Sequence, residues 1–152
     1  MVRIELNRKS GEYGFEATDQ NGKTVITDNS ADGGGNDNGF RPMQLLLAAL
    51  GSCSAIDVVS ILKKQRQVIG DFKIIIEAQR EEKEIPALWK EINMGFELTG
   101  DIIPEKAIKA CSLSVEKYCS VAETLRRAGT TIDWTLTINN EKINYQNEPV
   151  NL

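Results

Sequence analysis

The sequence has no histidine. That absence removes the side chain that most often serves as a general base near neutral pH and most often ligates transition metals. No Ser-His or Cys-His couple can form, and no histidine-ligated metal site can either. Neither a metal nor a cofactor is expected. Cysteine is scarce: Cys53, Cys111 and Cys119 are the three in the chain, and their spacing fits neither a CxxC redox motif nor a zinc ribbon. Basic excess is missing too. A net charge of -4 leaves no electrostatic footprint for nucleic acid. The longest apolar run, Leu45 to Leu62, is interrupted by Gly51, Ser52, Ser54, Asp57 and Ser60, short of the ~18 uninterrupted apolar residues of a membrane span. The N-terminal Met1-Val-Arg-Ile-Glu-Leu6 alternates like a strand and lacks the basic-then-apolar layout of a signal peptide. Cytoplasmic residence is the expectation, with the cysteines as thiols and any disulfide catalytic rather than structural.

What is present is the composition of a globular protein. The chain has 152 residues, 41% apolar and 26% charged, which suits one domain with a real core. That domain is expected over residues 1–138, followed by a polar tail over 139–152 with no readable motif. The centre of the chain is a long apolar helix. Pro42 suits its first position, Leu45 to Ile61 is apolar nearly all round, and Lys63-Lys64 suits the negative end of its dipole.

Around this helix the pattern is mostly strand. Val2, Ile4 and Leu6 alternate, as do Tyr13, Phe15 and Ala17; Asn21-Gly22 signals a hairpin, and Thr24 to Thr27 returns. Asp28 to Gly39 reads as a flexible connector by composition. It lacks the ending of a phosphate loop and the twelfth-position glutamate of a calcium loop. Phe72 to Ala78 and Ile92 to Leu98 predict two strands of a long hairpin. Pro104 opens a short helix with Cys111, the spacing of Val115, Tyr118, Cys119, Ala122 and Leu125 predicts a further helix over 114–128, and Ile132 to Ile138 makes the last strand. The order predicts an α+β fold, antiparallel sheet packed on the central helix. A helix apolar on every face needs more cover than one small sheet gives, so an intertwined homodimer is expected.

Without histidine, chemistry falls to the thiols. A buried cysteine is ordinarily core filler, and Cys111 reads that way. Cys53 and Cys119 each sit among small residues, in Gly51-Ser-Cys-Ser-Ala55 and Tyr118-Cys-Ser-Val-Ala122, which leave room for a second sulfur or a substrate. A thiolate there would need an arginine, a lysine or a helix dipole to activate it. Asp57, one turn beyond Cys53, is expected to make a polar contact elsewhere, because a carboxylate near sulfur disfavours the thiolate.

Pro42-Met-Gln-Leu-Leu-Leu-Ala-Ala-Leu-Gly-Ser-Cys-Ser-Ala-Ile-Asp-Val58 resembles the central-helix signature of the OsmC/Ohr family of osmotically inducible and organic-hydroperoxide-resistance proteins. Leu113-Ser-Val-Glu-Lys-Tyr-Cys-Ser-Val121 resembles its second cysteine motif, and the element order matches up to the tail. The resemblance implies a thiol peroxidase built as an intimate homodimer, with Cys53 as peroxidatic and Cys119 as resolving cysteine. Organic hydroperoxide would be the substrate and an external dithiol the reductant. Better-understood members carry a glutamate after the helix-opening proline that holds a catalytic arginine; this chain has Met43 and then Gln44, as in a less characterised branch. Arg41, Arg80 and Arg3 are the candidates for the activating cation. The departure at Met43 supports an alternative, a non-catalytic or weakly catalytic dimer holding a small apolar ligand in its interfacial pocket.

Overall fold

Alternating apolar residues fold into two separate sheets in the computed structural model, which describes residues 1–145. The chain groups into two compact units, Met1–Ala48 and the chain from Ala49 onward. In the first, β1 (Ile4–Ser10), β2 (Gly14–Asp19) and β3 (Thr24–Thr27) form an antiparallel meander. The glycine-rich segment after it differs from the flexible connector that composition suggests. Asp28, 2% exposed, accepts hydrogen bonds from the backbone N–H of Asn29 (2.8 Å), Asn36 (3.1 Å) and Asn38 (3.2 Å). Desolvation pushes its carboxyl up, but these three donors and the nearby Arg41 charge outweigh it and hold the group below the usual carboxylate value. Gly35 is obligatory in this loop, since a Cβ there would lie 2.1 Å from Asn29 O.

The long helix α1 spans Pro42–Lys64, with the expected proline at its start and lysines in its last turn. Arg41 caps it: its C=O accepts the first helical bond from Gln44, and Gln44 Oε1 accepts from Arg41 N at 3.1 Å, half of a capping box. By length and composition α1 is long and apolar enough to cross a membrane, a test that the core helix of a globular protein also passes. It buries a single ridge, Leu50, Gly51, Ser54, Val58 and Leu62, while Leu46 and Ile56 stay 40% and 67% exposed.

In the second unit, β4 (Val68–Arg80) and β5 (Trp89–Asp101) form the long antiparallel hairpin. Helix α2 (Pro104–Leu113), a π-helical turn (Ser114–Tyr118) and helix α3 (Ser120–Arg127) then carry the chain across to β6 (Thr131–Ile138). β6 pairs parallel with β5, a pairing that needs such a crossover connection. Ile92, Met94, Phe96 and Leu98 sit beside Ile132, Trp134, Leu136 and Ile138 in the ladder, and all eight are buried. Each such burial stabilises by about 1.5–3 kcal/mol. The stretch read from sequence as a polar tail opens with structure instead. Asn139 and Asn140, both at positive φ (49° and 67°), turn the chain into β7 (Glu141–Ile143), paired with β6. Tyr145 then stacks on Trp134 with ring centroids 4.1 Å apart. Residues 146–152 of the expected tail lie outside the described residues.

Candidate functional site

Helix α1 carries Cys53 one residue before the buried ridge position Ser54, so its thiol is half-buried. Gly51 supports this placement: a Cβ there would lie 2.9 Å from Ile76 Cδ1 on β4, and its absence lets helix and sheet approach.

Cys119 reaches α1 by a break in what the spacing predicts as one continuous helix. Cys119 N bonds Ser114 O at 2.9 Å, five residues back, closing a π-type turn of the kind frequent at functional sites. The chain then extends at Cys119 (φ -68°, ψ 102°) and restarts as α3. Arg126 braces the turn, donating from Nη1 to Val115 O at 2.6 Å and from Nη2 to Glu116 Oε1 at 3.1 Å. Ser114 ties the turn to α1, its Oγ lying 3.3 Å from Ser54 O and 3.3 Å from Asp57 Oδ2. That is the polar contact expected of Asp57.

The break makes Cys119 the N-cap of α3. Its sulfur accepts from Ala122 N at 3.4 Å and its S–H is directed at Leu50 O, 4.0 Å away. The Cys53 thiol and the Ser54 hydroxyl of α1 are its neighbours. Burial pushes the Cys119 thiol up and the neighbouring Cys53 adds to this, while Ser54 and the Ala122 N–H pull the other way. Cys119 is thus a thiol at neutral pH, held against a more accessible thiol. Both are free, and two neighbouring thiols are the arrangement from which oxidation can form a disulfide. Cys111, in the last turn of α2, is fully buried and pushed up to about 12 by desolvation.

The arginines proposed from sequence have other engagements. Arg41 pairs with Asp37 at 2.6 Å. Arg80, the last residue of β4, donates from Nε and Nη2 to Ala87 O and lies over the Trp89 ring, 5.8 Å from its centroid. Arg3 pairs with Glu5 on the exposed first strand. Sequence reasoning missed Ser54, Ser114 and Arg126, the polar groups that shape the Cys119 turn; a seryl side chain on an apolar ridge was the available signal. It also missed a cavity of about 410 Å³ in the first unit, lined by apolar side chains including Leu6, Tyr13, Phe15 and Pro42, with Asp28 at its edge.

The comparisons with known proteins agree with one another. The family described as OsmC-like protein matches residues 34–135. Protein YhfA of Escherichia coli is 46% identical over 98 residues, which is 64% of this chain and 72% of that protein. The crystal structure of a hypothetical protein from Aquifex aeolicus superposes with a TM-score of 0.75 at 32% identity, covering 91% of this chain and 98% of that one. An organic hydroperoxide resistance protein OsmC from Legionella pneumophila shares the fold at a TM-score of 0.64 and 15% identity, covering 91% and 96% of the two chains.

Proposed function

The chain belongs to the OsmC-like family, and on that premise we propose that it is a thiol-dependent peroxidase reducing organic hydroperoxides in oxidative-stress defence. The observation that carries this reading is that the half-buried Cys53 thiol neighbours the buried Cys119 thiol and helps to raise it. Cys53 sulfur attacks the hydroperoxide, the O–O bond breaks, the alcohol leaves with a proton, and Cys53 becomes a sulfenic acid. Cys119 sulfur then attacks Cys53 sulfur, water departs, and a disulfide remains for an external dithiol to reduce. The accessibility of Cys53 and the seclusion of Cys119 suit this division of labour.

A second copy of the chain completes the site in this proposal, covering the exposed α1 residues Leu46 and Ile56 as a homodimer. Arg41 or Arg80 would supply the activating cation, with Asp37 holding Arg41 in place of the family's glutamate. The cytoplasm is the compartment that provides reducing dithiols. A second reading, a dimer that holds a small apolar ligand without turnover, is favoured by the apolar cavity of the first unit and by the engagement of both arginines.

Cumene hydroperoxide consumption with a dithiol reductant tests the proposal. The chain should turn over, and Cys53→Ser should abolish turnover. Unchanged consumption by Cys53→Ser would refute the peroxidase reading, and no consumption by the unaltered chain would favour the binding one.

A further inference from the structure

We propose that the hydroxyl of Ser54 is a catalytic group for the resolving step, donating a hydrogen bond to the Cys119 sulfur as that sulfur becomes a thiolate and attacks oxidised Cys53. The role rests on the peroxidase reading of the two cysteines, but the contact on which it depends is tested separately below.

Ser54 is 0% exposed, and its Oγ has no conventional hydrogen-bond partner. A buried hydroxyl in that state is unfavourable, and an alanine would fill the same ridge position without the penalty. The backbone around it belongs to the Cys119 turn. Ser114 Oγ lies 3.3 Å from Ser54 O, and Cys119 Sγ lies 4.0 Å from Leu50 O, one helical turn earlier on α1. The hydroxyl is therefore bracketed by the two contacts that dock the turn on the helix, and because a helical side chain leans back over the preceding turn, it faces the Leu50 carbonyl that the Cys119 sulfur approaches. A neutral thiol is a weak acceptor, whereas a thiolate accepts a charge-assisted hydrogen bond. Ser54 thus gains its partner only when the negative charge develops, which is the pattern of a group that acts on a transition state.

Ala122 N–H, 3.4 Å from the sulfur, is the second donor, at the end of α3 where the helix dipole favours negative charge. The charged neighbours do not supply the same stabilisation. On α1, Cys53 opposes a Cys119 thiolate and Asp57 is engaged by Ser114. On the π-helical turn, Glu116 is paired with Arg126, and Lys117 lies over the Tyr118 ring. On α3, Glu123 is paired with Arg127. On α2, Cys111 stays neutral in the core.

The step balances. With Cys53 as sulfenic acid, the S–S bond forms as the Cys53 S–O bond breaks, and the proton released by Cys119 ends on the departing hydroxide, which leaves as water. Ser54 keeps its own proton throughout.

Two measurements on Ser54→Ala decide the matter. In a Cys53→Ser/Cys111→Ala background, Cys119 is the remaining thiol, and its ultraviolet thiolate absorbance gives its titration midpoint directly. Adding Ser54→Ala should raise that midpoint by about one pH unit, equivalent to about tenfold less thiolate. In the chain with all three cysteines, Ser54→Ala should form the sulfenic acid as fast as before but hold it about tenfold longer, read with a dimedone-type trap after one equivalent of cumene hydroperoxide. Raising the pH should restore the resolving rate. An unshifted Cys119 midpoint overturns the inference whatever the hydroperoxide does. If the unaltered chain forms no sulfenic acid, the peroxidase reading fails while the midpoint still decides the Ser54 contact. Should Ser54→Ala fail to fold, Ser54→Gly makes the same comparison.

Discussion

Cys111 and Cys119 are nearly equally hidden, at 0% and 2% exposure, and the chain between them is one short stretch of helix and turn. Their surroundings are opposite. Cys111 lies in the last turn of α2, fully buried. Desolvation acts on it alone and pushes it up to about 12. Cys119 follows a π-helical turn, and the broken helix gives its sulfur the Ala122 N–H and sets it beside a hydroxyl and a second thiol. Burial makes a thiol inert; a break in the helix beside it supplies the polar partners that can make the same thiol reactive. The break has its own supports, Arg126 on Val115 O and Glu116 and Ser114 on α1, so it is a fixed feature of the core.

The largest effect separating the two cysteines should come from removing each in turn. Cys119→Ser should abolish the intramolecular disulfide and leave Cys53 trapped as sulfenic acid after hydroperoxide treatment. Cys111→Ala should leave disulfide formation and turnover as they were, while lowering folding stability by about 1–2 kcal/mol through the lost packing. Non-reducing mass measurement and urea unfolding check both halves. Loss of the disulfide in Cys111→Ala would break the comparison.

A smaller effect should appear in alkaline solution. The Cys111 thiol has an ordinary value of 9.0 and is pushed up to about 12 in the folded chain. A group raised on folding gives stability that is complete below its unfolded value and lost as pH rises through the folded one. Stability should therefore fall by up to about 1.4 kcal/mol per pH unit above about pH 9, and Cys111→Ala should flatten the curve. Urea unfolding at about pH 8 and about pH 11 measures it; identical slopes for the two proteins would show that burial does not act on Cys111 as described.

Local signals that survive into the fold were legible. Pro42 and Lys63-Lys64 marked the ends of α1, and the alternation of Ile92, Met94, Phe96 and Leu98 marked a strand with one buried face. The motif around Cys53 and that around Cys119 pointed to the family. The π-helical turn was not legible, because Val115, Cys119, Ala122 and Leu125 hold a helix-like spacing across it and a single five-residue step does not disturb that pattern. Asp28 looked like one more polar loop residue, since its three amide partners come from up to ten residues away. β7 was missed although Asn139-Asn140 is a pair that tolerates the positive φ of a tight hairpin turn. Arg41, Arg80 and Arg3 were nominated by position along the chain, which carries no information about the Asp37, Ala87 and Glu5 partners that the folded chain gives them.

Peptide mapping of the protein under non-reducing conditions, after one equivalent of cumene hydroperoxide, tests the pairing of Cys53 with Cys119 most directly. The account predicts a single intramolecular Cys53–Cys119 disulfide with Cys111 recovered as a free thiol. A Cys111 disulfide, or Cys53 oxidised with Cys119 left free, would contradict it.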